Sequence, residues 1–229
     1  MSLLAVTVVD ARPAAQTAAP AIVFRLRIEL VNHSPGVRVH ALGLRCQVRI
    51  EPRGRRYSQE EQARLYELFG DVAQWNRSLR AVTWAHASLL VPSFDRLIEV
   101  DLPVACTYDL EVASAKYLHA IRDGDIPIAF AFSGSIFAPG EDGGLSIEPV
   151  PWDLEATYRL PGGVWQSAMD QVFPGGGWLR LQRETIDQLQ AFRGRQAVVS
   201  WDEAIGLLLG QAGLQGPSRR SAERAKAER

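Results

Sequence analysis

Residues 24–30 alternate strictly, with Phe24, Leu26, Ile28 and Leu30 on one side and Arg25, Arg27 and Glu29 on the other. A period of two in β-compatible residues predicts a strand with one buried face. The pattern returns over 37–50, where Leu42, Leu44, Cys46, Val48 and Ile50 oppose Arg45, Gln47 and Arg49. Asn32-His33-Ser34-Pro35-Gly36 between them reads as a turn, so an antiparallel hairpin is the simplest pairing. Further strands are expected over 3–9, 82–91, 97–112, 126–137, 145–150 and 154–160, with a loop over the Ala/Pro-rich stretch 11–20. Pro103 places its strand segment at a strand start or on a sheet edge.

Helical signals are of a different kind. Ser58-Gln59-Glu60-Glu61 fits a capping box, Leu65, Leu68 and Phe69 form an apolar stripe, and Gly70 is the expected stop. A short helical or looped piece is expected over 115–121. Beyond residue 160 the chain changes character, with helices expected over 162–173, 181–195 and 200–210, the last opened by Ser200 and Glu203. The expected fold class is therefore α+β. A mainly antiparallel β-sandwich would occupy 1–160, with one inserted helix near 58–69. A helical C-terminal third, 161–212, would pack on an edge or face, protecting it from intermolecular pairing, and a polar tail would fill 213–229.

Composition narrows the function classes. Lys+Arg number 25 against 26 Asp+Glu, so there is no global basic field for nucleic acid. No apolar run reaches the roughly 18 residues of a membrane span, and Met1–Asp10 lacks the basic start and cleavage site of a secretory signal. The cytoplasm is the expected location.

Candidate chemistry is sparse. His33, His40, His86 and His119 lie on separate segments without a ligand spacing. Cys46 and Cys106 fall on apolar strand faces, as buried thiols do. Gly140, Gly143, Gly144 and Gly175–Gly177 lack the strand–loop–helix order of a phosphate loop, and Ser133-Gly134-Ser135 lacks that of a nucleophile elbow. Asp101, Asp109, Glu111, Asp123 and Asp125 form an acidic group in sequence. The alternation puts Asp109 and Glu111 on a solvent face, where they would pair across strands with Arg25, Arg27, Arg45 or Arg49. The same arginines would otherwise form a patch for an acidic partner. Of the six tryptophans, Trp152, Trp165 and Trp178 bracket the helical third; packing or an interface would explain them. No catalytic, cofactor-binding or metal-ligating set is expected.

Several blocks carry a resemblance. Leu44-Arg45-Cys46-Gln47-Val48-Arg49-Ile50-Glu51-Pro52, Asp101-Leu102-Pro103-Val104-Ala105-Cys106-Thr107-Tyr108-Asp109, Lys116-Tyr117-Leu118-His119-Ala120 and Tyr158-Arg159-Leu160-Pro161 resemble one uncharacterised bacterial family over about residues 20–210. Its members tend to be encoded beside genes for nickel–iron hydrogenases and their maturation factors. The resemblance implies an accessory or assembly role and carries over no functional residues.

The expectation is thus a non-enzymatic protein-binding factor with no cofactor. Arg25, Arg27, Arg45 and Arg49, or Trp152, Trp165 and Trp178, would contact a hydrogenase subunit or maturation factor. One alternative is a small-ligand or carbohydrate-binding sandwich with a tryptophan platform. Another is a metal-dependent enzyme using His86, His119 or the acidic residues.

Overall fold

The computed structural model describes residues 4–31, 38–107, 109, 112–121, 123–140, 144–176 and 179–214. The chain divides into one compact unit over Met1–Trp178 and a second over Leu179–Arg229. The fold is α+β, with eight strands in two antiparallel sheets and six α-helices among the described residues.

The first sheet has β1 (Leu4–Pro13) and β5 (Leu97–Ala105) on either side of β2 (Ala21–Leu30). Pro103 therefore sits on an edge strand, where its missing N–H costs no ladder bond. In the second sheet β4 (Val82–Val91) pairs with β3 (Ala41–Ile50), which pairs with the 15-residue β6 (Asp125–Pro139). The far side of β6 is shared: its second half pairs with β7 (Leu145–Pro149) and its first half with β8 (Glu155–Pro161). Gly134 lies between the two halves at φ 146°.

The expected hairpin between the two strongest alternating strands does not form. β2 pairs with β1 and β5, and β3 pairs with β4 and β6. Each strand presents an uninterrupted apolar face, and the two faces bury one another across the sandwich. The connection over 31–40 crosses the layers, which lie about 10 Å apart; its residues 32–37, including His33, fall outside the described residues.

Two boundaries also move. β1 continues to Pro13, into the stretch expected as loop. The strand expected over 97–112 ends at Ala105, and Val112 already caps α3 (Ala113–Ala120).

Phe24 stands at the centre of the sandwich, with edge-on ring contacts to Phe130 at 5.0 Å, Trp84 at 6.0 Å and Tyr158 at 6.2 Å. A second aromatic cluster joins α1 (Gln59–Phe69) to α3 through Phe69, Tyr57, Tyr117 and Trp75, the last at the start of α2 (Trp75–Ser78). The capping box at Ser58 is present: its Oγ accepts from Glu61 N at 3.2 Å, and Ser58 N donates to Glu61 Oε2 at 3.0 Å. Within the first unit α4 (Gly162–Val172) packs on β1, β2 and β8 and buries Trp165 and Ala168.

The second unit contains α5 (Arg183–Gln196) and α6 (Trp201–Gln211), joined through Ala197 in the left-handed region. Ser200 Oγ caps α6 by accepting from Glu203 N, and the Arg193 guanidinium lies 4.2 Å from the Trp201 ring centre. No helix among the described residues is long and apolar enough to cross a membrane.

Candidate functional site

The four candidate arginines divide between two faces. Arg25 and Arg27 lie on the outer face of the first sheet, where register sets them opposite Asp101 and Glu99 of β5. Arg25 Nε donates to Asp101 Oδ1 at 2.6 Å, Arg12 Nη2 donates to Asp101 Oδ2 at 2.6 Å, and Arg27 donates twice to Glu99 Oε1 at 2.8 and 3.0 Å. Desolvation works to raise the Asp101 carboxyl, but hydrogen bonds and charge from Arg12 and Arg25 outweigh it and hold it below its ordinary range. Cross-strand pairing was the expected arrangement, but with different acids: Asp109 lies beyond the strand end, and Glu111 lies outside the described residues.

Arg45 and Arg49 point from β3 to the outer face of the second sheet, on the other side of the sandwich. Arg49 lies 3.6 Å from Glu51 and 3.7 Å from Glu155. The four therefore make no common patch.

The tryptophans separate as well. Trp165 is buried with its ring 6.3 Å from that of His119, whereas Trp152 is 94% exposed. Trp178 lies outside the described residues. Trp75 and Trp84 are buried.

Both cysteines are buried and free. Burial pushes the Cys46 thiol up to about 12. It does the same to Cys106, also to about 12, against a smaller opposing effect of a backbone hydrogen bond at Ile22. A thiol in that range holds almost no thiolate at pH 8. The native protein is expected to leave both thiols unmodified by an aromatic disulfide reagent at pH 8, with both reacting once denaturant is added. Rapid native-state labelling at either would contradict the burial.

Among the described residues no group of three His, Cys, Asp or Glu could hold a metal ion. His86 is exposed on β4, with Nε2 3.4 Å from Gln47 Nε2.

The site that emerges is the outer face of the second sheet. Register puts Leu90, Gly43, Ser135 and Pro149 in one row across β4, β3, β6 and β7. The next row holds Ala41, Phe137 and Ile147, and the row on the other side holds Ser88, Arg45 and Ser133. Gly43 contributes no side chain, so the surface sinks between Leu90 and Phe137 into an open hollow of about 700 Å³. Leu90 is 72% and Ile147 60% exposed. Trp152 stands on the turn between β7 and β8, beside the point where Val150 N donates to Gly134 O and Phe132 N donates to Leu154 O. Large apolar side chains exposed singly are ordinary, but a contiguous group beside a hollow marks a recognition surface. Arg45 and three serines add donors and acceptors to it.

Sequence reasoning named Arg45 and Trp152 but missed Leu90, Phe137 and Ile147. A signal was present: Leu89-Leu90-Val91 is apolar on both faces of β4, which an alternating half-solvated strand does not need. Gly43 and Gly134 inside paired strands were another.

Fold and site together define a two-sheet antiparallel sandwich with a part-apolar outer face on its second sheet. The chain belongs to the family of unknown function DUF6084, whose model matches residues 1–216. A search of curated proteins gives no match. Among solved structures, one described as a late embryogenesis abundant (LEA) protein is similar at 14% identity and TM-score 0.28, covering 69% of this chain and 71% of that one. A β-glucosidase from Kluyveromyces marxianus is similar at 9% identity and TM-score 0.25, over 68% of this chain and 14% of the enzyme. A bacterial adhesin from Mobiluncus mulieris follows at 14% identity and TM-score 0.23, over 67% of this chain and 53% of the adhesin. These likenesses are too distant to bear on function.

Proposed function

We propose that the chain is a non-enzymatic protein-binding accessory factor that docks a partner on the outer face of its second sheet. The observation that carries this reading is the apolar group of exposed Leu90 and Ile147 with half-buried Phe137, on neighbouring rows of one sheet face with Arg45 on the same face. An apolar centre edged by an arginine and hydroxyls is the anatomy of a protein interface. The Arg25–Arg27 face is less suited, because its guanidiniums are already satisfied by Glu99 and Asp101. The resemblance of the sequence blocks to a family encoded beside nickel–iron hydrogenase genes favours a hydrogenase subunit or maturation factor as the partner.

A sugar-sized ligand in the same hollow is a second reading, favoured by the Ser88, Ser133 and Ser135 positions that line it. The tryptophan-platform form of that idea is less favoured, because Trp75, Trp84 and Trp165 are buried and no tryptophan lines the hollow.

The test is affinity purification of the tagged chain from its native host grown on hydrogen, alongside a Leu90→Asp/Ile147→Asp variant. Both side chains are exposed, so the variant should melt like the wild type. Hydrogenase subunits or maturation proteins should co-purify with the wild type and be lost from the variant. Recovery of the same proteins with both, or of none with either, would refute the proposal.

A further inference from the structure

A second hollow lies at the other end of the same sheet, and its chemistry is different. β3 ends at Ile50 and leads into the tight turn Pro52–Gly54, followed by Arg55 and Arg56. Gly124 lies just before Asp125, the first residue of β6, and Arg159 comes from near the end of β8. Together these residues line an open hollow of about 490 Å³. Gly54 packs so close to Pro127 that a Cβ there would lie 2.8 Å from the proline ring, which ties the turn down against the sheet.

Four arginines are thus gathered around one concavity, in two states of readiness. Arg53 is held by backbone carbonyls, donating to Leu79 O at 2.7 Å and Asn76 O at 2.9 Å. Arg55 is held by Glu61 at 2.8 and 3.0 Å and by Asp123 O at 3.0 Å. Its side chain is nine-tenths buried, and its Nη1 is buried without a hydrogen-bond partner. Arg56 and Arg159 are exposed, and neither side chain makes an ion pair or hydrogen bond among the described residues. Glu61 balances Arg55, so among the residues that line the hollow the guanidiniums of Arg53, Arg56 and Arg159 stand against the carboxylate of Asp125. Crowded like charges are unfavourable until an anion joins them.

We propose that this hollow binds the phosphate monoester group of a small phosphorylated molecule. The excess of positive charge among the lining residues favours an anion, and a dianion over a monoanion. Guanidinium forks suit a tetrahedral oxyanion, which can accept from several at once. The hollow falls within the size range of small-molecule sites, leaving room for the organic part of the ester. Two of the arginines are pre-positioned, so ordering the other two is the main entropic cost of binding. The localised cluster in a chain of net charge −1 argues against a polynucleotide, which needs an extended basic track.

The test is calorimetric titration of the full chain at low salt with glucose 6-phosphate, inorganic phosphate, a phosphoserine peptide, sulfate and a single-stranded oligonucleotide. The sugar phosphate should bind saturably and more tightly than sulfate. Its affinity should fall by about tenfold between pH 7.5 and pH 5, because the monoester loses its second charge near pH 6. Arg56→Ala and Arg159→Ala should each weaken it by about tenfold, the cost of one charge-assisted contact. Arg27→Ala, on the other sheet, should leave it unchanged. Failure of the sugar phosphate to bind, or binding indifferent to Arg56 and Arg159, would overturn the proposal. So would tighter binding of the phosphopeptide or the oligonucleotide through the same arginines, since either would assign the site to a macromolecule.

Discussion

Gly134→Ala is expected to destabilise the fold by about 4 kcal/mol, from added backbone strain and overpacking together. Gly134 sits in the middle of β6 at φ 146°, a conformation L side chains rarely adopt. A Cβ built there lies 1.9 Å from the carbonyl oxygen of Gly43, 2.9 Å from its carbon and 3.3 Å from Leu44 Cα. All three are backbone atoms of β3, so no side chain can turn aside. The strands would have to separate along the central pair of the second sheet, where Leu44 faces Gly134 in register. A loss of about 4 kcal/mol is a large part of the total stability of an ordinary domain. Gly43→Ala is the control. A Cβ at Gly43 meets its nearest neighbour at 3.9 Å, an ordinary contact, so that variant should stay within about 1 kcal/mol of wild type. Urea unfolding of the two variants would separate them. Equal midpoints would show that β3 and β6 are free to move apart.

The same glycine illustrates what could be read from the chain and what could not. Alternation identified the buried faces of β2 and β3 down to Phe24 and Leu44, because period two is a property of one strand alone. It could not say that those faces meet across the sandwich. A short Pro/Gly turn fits a hairpin and a crossing between layers equally well, and only the competing partners β1, β4, β5 and β6 decide between them. Partners of charged residues were lost for the same reason. Arg25 needs the register of β5 to find Asp101, while Asp109 and Glu111 attracted attention by continuing an alternation that the strand itself does not follow. The site was half legible: Arg45 and Trp152 stand out by residue type, but Leu90, Phe137 and Ile147 look like core. The exposure of Leu90 and Ile147 depends on which strands flank them. The arginine hollow joins residues 53–56 to 124–125 and 159, a convergence no local pattern announces.

Glu61→Ala is expected to cost about 3–4 kcal/mol, because it strands a buried guanidinium. Glu61 is 5% exposed and serves two groups at once. Its carboxylate accepts from Arg55 Nη2 through both oxygens and from the Ser58 backbone N–H that begins α1. Alanine would remove both interactions, leaving Arg55 charged, nine-tenths buried and short of a counter-charge in a segment where Nη1 already lacks a partner. Glu61→Gln separates the two roles. Glutamine can still close the capping box, but it cannot balance the charge, so its loss should be smaller than that of alanine and arise mainly at Arg55. The double replacement Arg55→Met/Glu61→Leu removes both charges and fills the space with apolar atoms. It should recover most of the stability, since an apolar pair often matches a buried ion pair. Denaturant titrations of the alanine variant, the glutamine variant and the double replacement read this order directly. If Glu61→Ala and the double replacement are equally unstable, the cost lies in the helix start and packing of α1. If the double replacement is much the more stable, the ion pair is retained at a net cost to the fold, as expected where Arg55 is kept for what the arginine hollow binds.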